Sequence, residues 1–420
     1  MEDLAQEIVL DAVDQGWHGP PFDPLELANL RGLKIRPNAS ISDARVFPDD
    51  GGYVIEYNPN KSAGRVNFSI AHEIAHTLFE DWAEKTRNRT RHSEDEKNWQ
   101  LEMLCSIGAA EILMPVGSVS HRFEAPEPIE SIMRLRQEFQ VSAEAMLIRM
   151  AKMAKFPMVS FAASKIRTPS GTKYRIDYSI ASSSWSHGKL ERLELDHSPC
   201  FDECTAIGTT ARSVEKWVSD IPELTIEAVG LPPYPGSQEI RIAGFAYPRE
   251  GDSALVSKIE YRQGDATKFR LPSNTAIVHV VNDKARSWGG FGFASALRSE
   301  FPAASSEYQG WVANNKSEFK LGSFHAYDVS DLISENRLII SMVAQSGYGE
   351  SSKPRIRYSA LHNSLDNLAA YLADREISDV QMPRIGAGQA GGDWRIIEGI
   401  IFESLVLKDI NVKVYDLPPG

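Results

Sequence analysis

The chain has 420 residues, of which 42% are hydrophobic and 24% charged, and it carries a formal net charge of −12. That length predicts two or three domains rather than one core, and the acidic balance excludes a broadly nucleic-acid-binding surface, leaving room for no more than a local basic patch. Three cysteines, Cys105, Cys200 and Cys204, cannot make a disulfide framework and fit a reducing cytoplasm. No apolar run reaches the ~20 residues of a membrane span, and the N-terminus lacks the basic start and apolar core of a secretory leader, so a cytoplasmic protein without a membrane part is expected.

Residues 3–16 place Leu4, Ile8, Val9 and Val13 at helical spacing. Asp23-Pro24 opens a second helix, with aspartate as cap and proline in the first turn. Short strands are predicted around 33–36, 44–47 and 53–57, separated by Asp-Gly and Asn-Pro turns. Then comes Phe68-Ser-Ile-Ala-His72-Glu73-Ile-Ala-His76. On a helix the two imidazoles project from one face, one turn apart, which suits two ligands of a single metal ion. Glu73, beside the first, is placed to act as general base on a metal-bound water. The competing reading is a core helix with two satisfied histidines.

The charged stretch 81–97 reads as a solvated loop. A helix from Trp99 to Pro115 follows, carrying Glu102, Cys105 and Glu111, with Ser106, Gly108, Ala109 and Ala110 small enough for close helix packing. His-Glu-x-x-His followed by Glu-x-x-Cys-Ser-x-x-Ala-Ala-x-x-Leu-Met-Pro resembles the ImmA/IrrE family of metallopeptidases over residues 1–155. The resemblance implies a zinc cofactor held by His72, His76 and Glu102, Glu73 as the catalytic base, and a protein substrate of the DNA-binding repressor kind. Glu111 is the competing carboxylate, taken to lie on nearly the same helical face as Glu102. Cys105 is expected to be a small buried hydrophobe, and Asp81 and His92 do not match the family pattern. Residues 127–153 predict one or two further helices. The segment 140–146 is similar to a helix-turn-helix but lacks a basic recognition helix, which favours packing.

From residue 156 to 256 short strands and Pro-rich turns predict a β-rich connector or small domain. His197, Cys200 and Cys204 are three potential ligands there without a fourth. After that, strands alternate with helices, as in an α/β fold. A glycine-rich turn, Asn282 to Gly292, follows an apolar strand, and a second, Gly386 to Gly392, precedes a helix. Such turns offer backbone N–H groups to a diphosphate. The second contains Gly-x-Gly-x-x-Gly, but a Rossmann unit would open with it and continue through further strands, so topology rejects that fold.

Gly-Asp265-Ala-Thr, Val-Val-Asn282-Asp with Trp-Gly-Gly-Phe-Gly, Met-Pro-Arg-Ile-Gly-Ala-Gly-Gln-Ala-Gly-Gly-Asp-Trp and Val-Tyr-Asp-Leu-Pro together resemble a macro domain over residues 257–418. The resemblance implies ADP-ribose or a related NAD-derived nucleotide as ligand. Asp265 would hold the adenine amino group. Asn282, Gly289, Gly290, Phe291 and Gly292 would lie by the distal ribose and phosphate, and Gly386, Ala387, Gly388, Gln389 and Ala390 would wrap the diphosphate. Some relatives also hydrolyse ADP-ribosyl bonds, and here the pattern departs: Ala285 replaces an asparagine, no lysine stands at 342–345, and Ala390 occupies the place of an aspartate. Asp283 and Asp393 are the available substitutes.

The expected architecture is therefore multidomain α+β: an N-terminal zincin-like helical domain with a small sheet (1–155), a β-rich connector (156–256) and a C-terminal α/β macro domain, a three-layer sandwich (257–420). The expected function is a zinc endopeptidase cleaving a regulatory protein under nucleotide control. The alternatives are an ADP-ribosyl hydrolase with an N-terminal recruiting module, and a stoichiometric binder with a structural zinc.

Overall fold

The computed structural model describes the chain apart from residues 50–51, 80–86, 89–95, 120–124, 170, 234–237, 250–258, 269–273, 285, 330–335, 350, 352 and 417–420. Asp81, His92, Ala285 and most of the charged stretch 81–97 lie outside the described residues. Two compact units result, one of residues 1–12, 16–115 and 119–256, the other of 13–15, 116–118 and 257–420.

The first unit begins with α1 (Glu2–Gln15) and α2 (Pro24–Leu30), the latter started by Asp23, whose Oδ1 accepts from Leu25 N at 2.8 Å. Strands β1 (Lys34–Pro37), β2 (Ala44–Asp49), β3 (Gly52–Tyr57) and β4 (Arg87–Asn88) form a sheet in the order β1-β3-β2-β4. Helix α3 (Ala63–His76) carries the His-Glu-x-x-His motif, and all its residues from Ser69 to His76 are buried. Its neighbour α4 (Glu96–Leu113) approaches closely because Gly108 has no side chain: a Cβ there would stand 2.9 Å from Ala75 Cβ. Helices α5 (Ile129–Glu138) and α6 (Ala143–Met153) resolve residues 127–153 into two helices, the second capped by Ser142 Oγ on Ala145 N.

Glu111 corrects the expectation made for it. Nine residues are two and a half turns, so it points away from Glu102, into the core, where it meets Arg149 of α6 at 2.6 Å with both side chains 3% exposed. It ties α4 to α6.

The stretch 156–256 forms β5 (Val159–Thr168), β6 (Gly171–Ala181), β7 (Glu194–Leu195), α7 (Pro199–Glu203), β8 (Thr210–Glu215), β9 (Leu224–Leu231) and β10 (Arg241–Pro248), an antiparallel sheet in the order β7-β6-β5-β10-β9-β8. Its core centres on Phe161, Phe201 and Trp217, whose rings lie 5.3–5.6 Å apart. Strand β9 was not anticipated. It is apolar except for Thr225 and Glu227 and buried along its whole length, and Glu227 accepts from Ile129 N at 2.7 Å, docking the start of α5. Cys200 and Cys204 are buried and free, while His197 turns outward to Asp202 at 2.7 Å. They form no metal-capable cluster with it among the described residues.

The second unit contains β11 (Ile259–Gln263), β12 (Thr275–Asn282), α8 (Gly292–Glu300), α9 (Pro302–Asn314), β13 (Phe324–Asp328), β14 (Arg337–Gln345), α10 (Tyr358–Ala373), β15 (Asp379–Pro383), α11 (Trp394–Ser404) and β16 (Asn411–Asp416). The sheet order is β11-β16-β15-β12-β14-β13, parallel throughout except for the antiparallel edge strand β13. Central strand β12 is buried almost throughout, as its unbroken apolar run predicts. The register slips between Val281 and Asn282, where β12 runs out into the glycine-rich turn.

A candidate metal centre and a candidate nucleotide pocket

Helix periodicity brings His72 and His76 to one face of α3, their rings 4.9 Å apart. From α4, Glu102 reaches both: its Oε2 lies 3.0 Å from His72 Nε2 and its Oε1 3.5 Å from His76 Nε2. Donors held ~2.0–2.1 Å from a tetrahedral metal stand about 3.3 Å from one another, so these spacings fit an ion at their common focus. The histidines are 1% and 2% exposed while Glu102 is 39% exposed, which leaves the carboxylate side of the cluster accessible. Burial tends to raise the Glu102 carboxyl, but hydrogen bonds from His72 and His76 outweigh it and hold the group well below the usual carboxylate range. Glu73, adjacent in α3, is 1% exposed.

Behind the histidines a second set of contacts fixes the rings. Cys105 Sγ lies 3.2 Å from His76 Nδ1, and Ser106 Oγ, which donates to Glu102 O at 2.9 Å, lies 3.4 Å from His72 Nδ1. His72, His76 and Cys105 have donor atoms all within 4.8 Å of one another and so form a second metal-capable trio. The sulfur, however, faces the Nδ1 side of His76, whereas both Nε2 atoms face Glu102. A ring nitrogen engaged behind and a free lone pair in front is the usual arrangement of a metal-ligating histidine. The set His72, His76 and Glu102 therefore fits the ion better, with Cys105 and Ser106 orienting it.

In the second unit a cavity of about 1670 Å³ opens at the ends of β12 and β14. Asn282, Gly289, Gly290, Phe291, Gln389 and Ala390 line it. Asp265, Gly292, Gly386, Ala387 and Gly388 lie outside its lining. Each has a defined local role or setting. Asp265 Oδ1 accepts from Thr267 N (2.9 Å) and Thr267 Oγ1 (2.8 Å), and buried Gln381 holds the same turn through Ala266 O and Lys268 O. Gly292, at φ +64, starts α8, whose first turn has no side-chain cap, so its N–H groups are available to an anion. Gly386, at φ +70, holds a left-handed conformation that favours glycine, and a Cβ there would press on Ile356 Cδ1 at 2.9 Å. Ala387 follows it in the same turn, donating to Arg384 O at 3.4 Å, and Gly388 is exposed, its carbonyl accepting from Gly391 N at 2.9 Å.

The sequence reading missed the cations of this cavity: Lys284, Arg286, Arg298, Lys353 and Arg355, with no carboxylate in the lining among the described residues. Exposed Phe291 (83%) and Tyr348 (69%) stand among them. The signal was present in Gly347-Tyr-Gly349 and Lys353-Pro-Arg355, a glycine and cation cluster between β14 and α10. The two spare aspartates are engaged elsewhere. Asp283 Oδ1 accepts from Gly347 N at 2.8 Å, and Asp393 caps α11 through Arg395 N (2.9 Å) while pairing with the Arg395 guanidinium (2.8 Å). That hydrogen bond from Arg395 holds the Asp393 carboxyl below its ordinary value.

Residues 28–151 match the model of the Peptidase M78 family, an IrrE N-terminal-like domain. ADP-ribose glycohydrolase OARD1 of Bos taurus is 27% identical over 161 residues, 38% of this chain and 93% of that protein. A macrodomain protein from Streptomyces coelicolor is 32% identical, covering 38% of this chain and 99% of that one, with a TM-score of 0.33. A protein of unknown function from Bacteroides thetaiotaomicron is 36% identical over 38% of this chain and 99% of its own, with a TM-score of 0.35. With its family-model match in the N-terminal half and its macrodomain relatives in the C-terminal part, the chain belongs to the macrodomain family and joins that module to an IrrE-like peptidase domain.

Proposed function

We propose that the protein is a zinc-dependent, site-specific endopeptidase acting on a regulatory protein of the repressor kind, and that ADP-ribose or a related NAD-derived nucleotide in the macrodomain governs it. The observation that carries this reading is the convergence of His72 Nε2 and His76 Nε2 on the Glu102 carboxylate. Bound zinc would supply a Lewis acid and a water of lowered pKa. Glu73 takes the proton of the attacking water and passes it to the leaving amine. Cys105 and Ser106 keep the two imidazoles aimed. The peptidase domain spans residues 1–155, followed by the β-rich region 156–256 and the macrodomain from 257.

Nucleotide recognition follows from the second cavity. The uncapped start of α8 and the cations around it would attract a diphosphate, with Asn282 by the distal ribose and Gln389 and Ala390 along the phosphates, while Asp265 and Gly386 to Gly388, outside the lining, would act at its margin through the turns they shape. Control requires the nucleotide to bind the active and inactive states with different affinity.

The test pairs the zinc-loaded protein with candidate DNA-binding repressors as substrates, with and without ADP-ribose. One defined fragment is expected, absent with Glu73→Ala although that variant keeps its metal. A cleavage rate that ADP-ribose leaves untouched would remove the control while keeping the peptidase. The likeness to OARD1, an ADP-ribose glycohydrolase, supports a second reading in which the macrodomain removes ADP-ribose from a target. Release of label from an ADP-ribosylated substrate that survives Glu73→Ala but not a cavity variant would favour it.

A further inference from the structure

The first unit holds a cavity of about 1020 Å³ that no part of the metal centre uses. Its walls are the first two turns of α3, the α5–α6 helix pair, and the sheet face around Ile207 and Leu231. Phe68 lines it and is one turn before His72 on the same face of α3, their rings 6.0 Å apart. The groove therefore ends one helical turn from His72 and extends from there along the N-terminal part of α3. Hydrolysis of a chain in its interior needs such a track, since several residues flanking the scissile bond must be held extended.

The chemistry of the lining narrows what the track holds. Arg65, Arg134, Arg136 and Arg241 face it against Glu130 and Glu144, an excess of two positive charges (four minus two) in a chain of net −12. Arg65 is paired with Asp43 at 2.6 Å and Arg241 with Glu144 at 2.9 Å. By contrast Arg134 donates to Ser131 Oγ, and the buried Nε of Arg136 has no hydrogen-bond partner among the described residues. Neither of these two has a carboxylate partner there. Ile207, 61% exposed, offers an apolar contact on the opposite wall.

We infer that this groove is the substrate track of the peptidase and that it takes an extended polypeptide segment bearing acidic side chains, which pair with Arg136 and Arg134 while an apolar residue rests on Ile207. The inference rests on the peptidase reading and deepens it. It also gives the 156–256 sheet a role, since that sheet supplies one wall.

The test uses the full chain carrying Glu73→Ala, which binds without turnover, and fluorescein-labelled twelve-residue peptides differing only in four positions filled by Glu, Gln or Lys. Fluorescence anisotropy should show the Glu peptide bound at least tenfold more tightly than the Gln peptide, with the preference falling as salt rises. Adding Arg136→Glu should abolish the preference and turn it towards the Lys peptide. Ile207→Asp, at an exposed position that does not burden folding, should weaken the Glu peptide severalfold. Equal binding of all three peptides, or a Glu preference that survives Arg134→Glu with Arg136→Glu, would overturn the assignment. So would tighter binding of duplex DNA that Arg136→Glu abolishes, since the groove would then hold nucleic acid. If the zinc-loaded parent cleaves its protein while the groove variants cleave equally well, the track fails and the peptidase stands. If the parent cleaves nothing yet binds the Glu peptide through Arg136, the peptidase reading fails and the groove remains a peptide-binding site.

Discussion

The candidate metal centre consists of three side chains on two helices, each aimed by the helix that carries it, with two more side chains behind. The cavity of the second unit gathers strand ends and loops from three separate stretches of chain, and much of its surface is backbone at glycine or side chains at the rim. One site is written in residue types at fixed spacing. The other is written in backbone permissiveness, which names the loops without saying what else they meet. The donor-type side chains of the first site are thus concentrated in the buried part of their unit, whereas the cations and glycines of the second are spread over an open surface.

Substitutions can break this contrast in order of effect. Glu102→Ala should remove a direct metal donor and cost more than the ~10–100-fold in affinity typical of an outer contact, read by competition with a chromophoric chelator. Glu111→Ala on the same helix should leave metal affinity nearly unchanged. It should instead lower stability by about 3–5 kcal/mol, because Arg149 stays buried without its carboxylate; urea unfolding measures it. Together these two separate donor from scaffold on α4.

Cys105→Ala sharpens the choice between the two overlapping trios. As an orienting contact to His76 Nδ1, its loss should weaken metal binding by about 10–100-fold, and Cys105→Ser should recover part of this. The cobalt-substituted parent should show no sulfur-to-cobalt charge-transfer band; a strong band would place the thiolate on the ion and refute the orienting role.

The macrodomain core gives the next effect. Burial depresses the His279 imidazole from 6.5 to about 3. Its neutral ring is bonded to Ser341 Oγ at 2.8 Å. As pH falls, the unfolded chain takes up this proton first, so the stability is complete above pH ~6.5 and is lost progressively down to pH ~3. By pH 5 the loss is about 2 kcal/mol. His279→Leu should flatten that acid limb in denaturant titrations at pH 7 and pH 5. At the rim of the cavity, Lys353→Ala should weaken ADP-ribose only a fewfold, with the difference vanishing in high salt, by calorimetry. A hundredfold loss would mean that the pocket depends on particular side chains after all.

Much of the helical part was legible because its signals are local. His72, Glu73 and His76 sit on the helix that their spacing in an apolar run predicts, and the Asp23-Pro24 cap is where it was expected. Glu111 was misjudged because its place on α4 depends on counting turns, and its partner Arg149 lies on another helix, 38 residues away. Strand β9 was lost because an apolar run ending in Leu231-Pro-Pro reads as easily as a turn approach, and only pairing with β8 and β10 makes it central. Helix α9 lacks a strong apolar stripe, its buried residues being Ala304, Ser305, Tyr308 and Val312. The cavity cations escaped notice because loops from distant stretches bring them together.

Gly108 carries a further consequence. The separation of α3 from α4 is set where its missing methyl group lets Ala75 come near, and that separation is also the span between the imidazoles and the Glu102 carboxylate. The helix pair works as a caliper. A methyl at position 108 would press on Ala75 and carry Glu102 away from the two imidazoles, so Gly108→Ala should weaken metal binding through a residue that touches none of the donors.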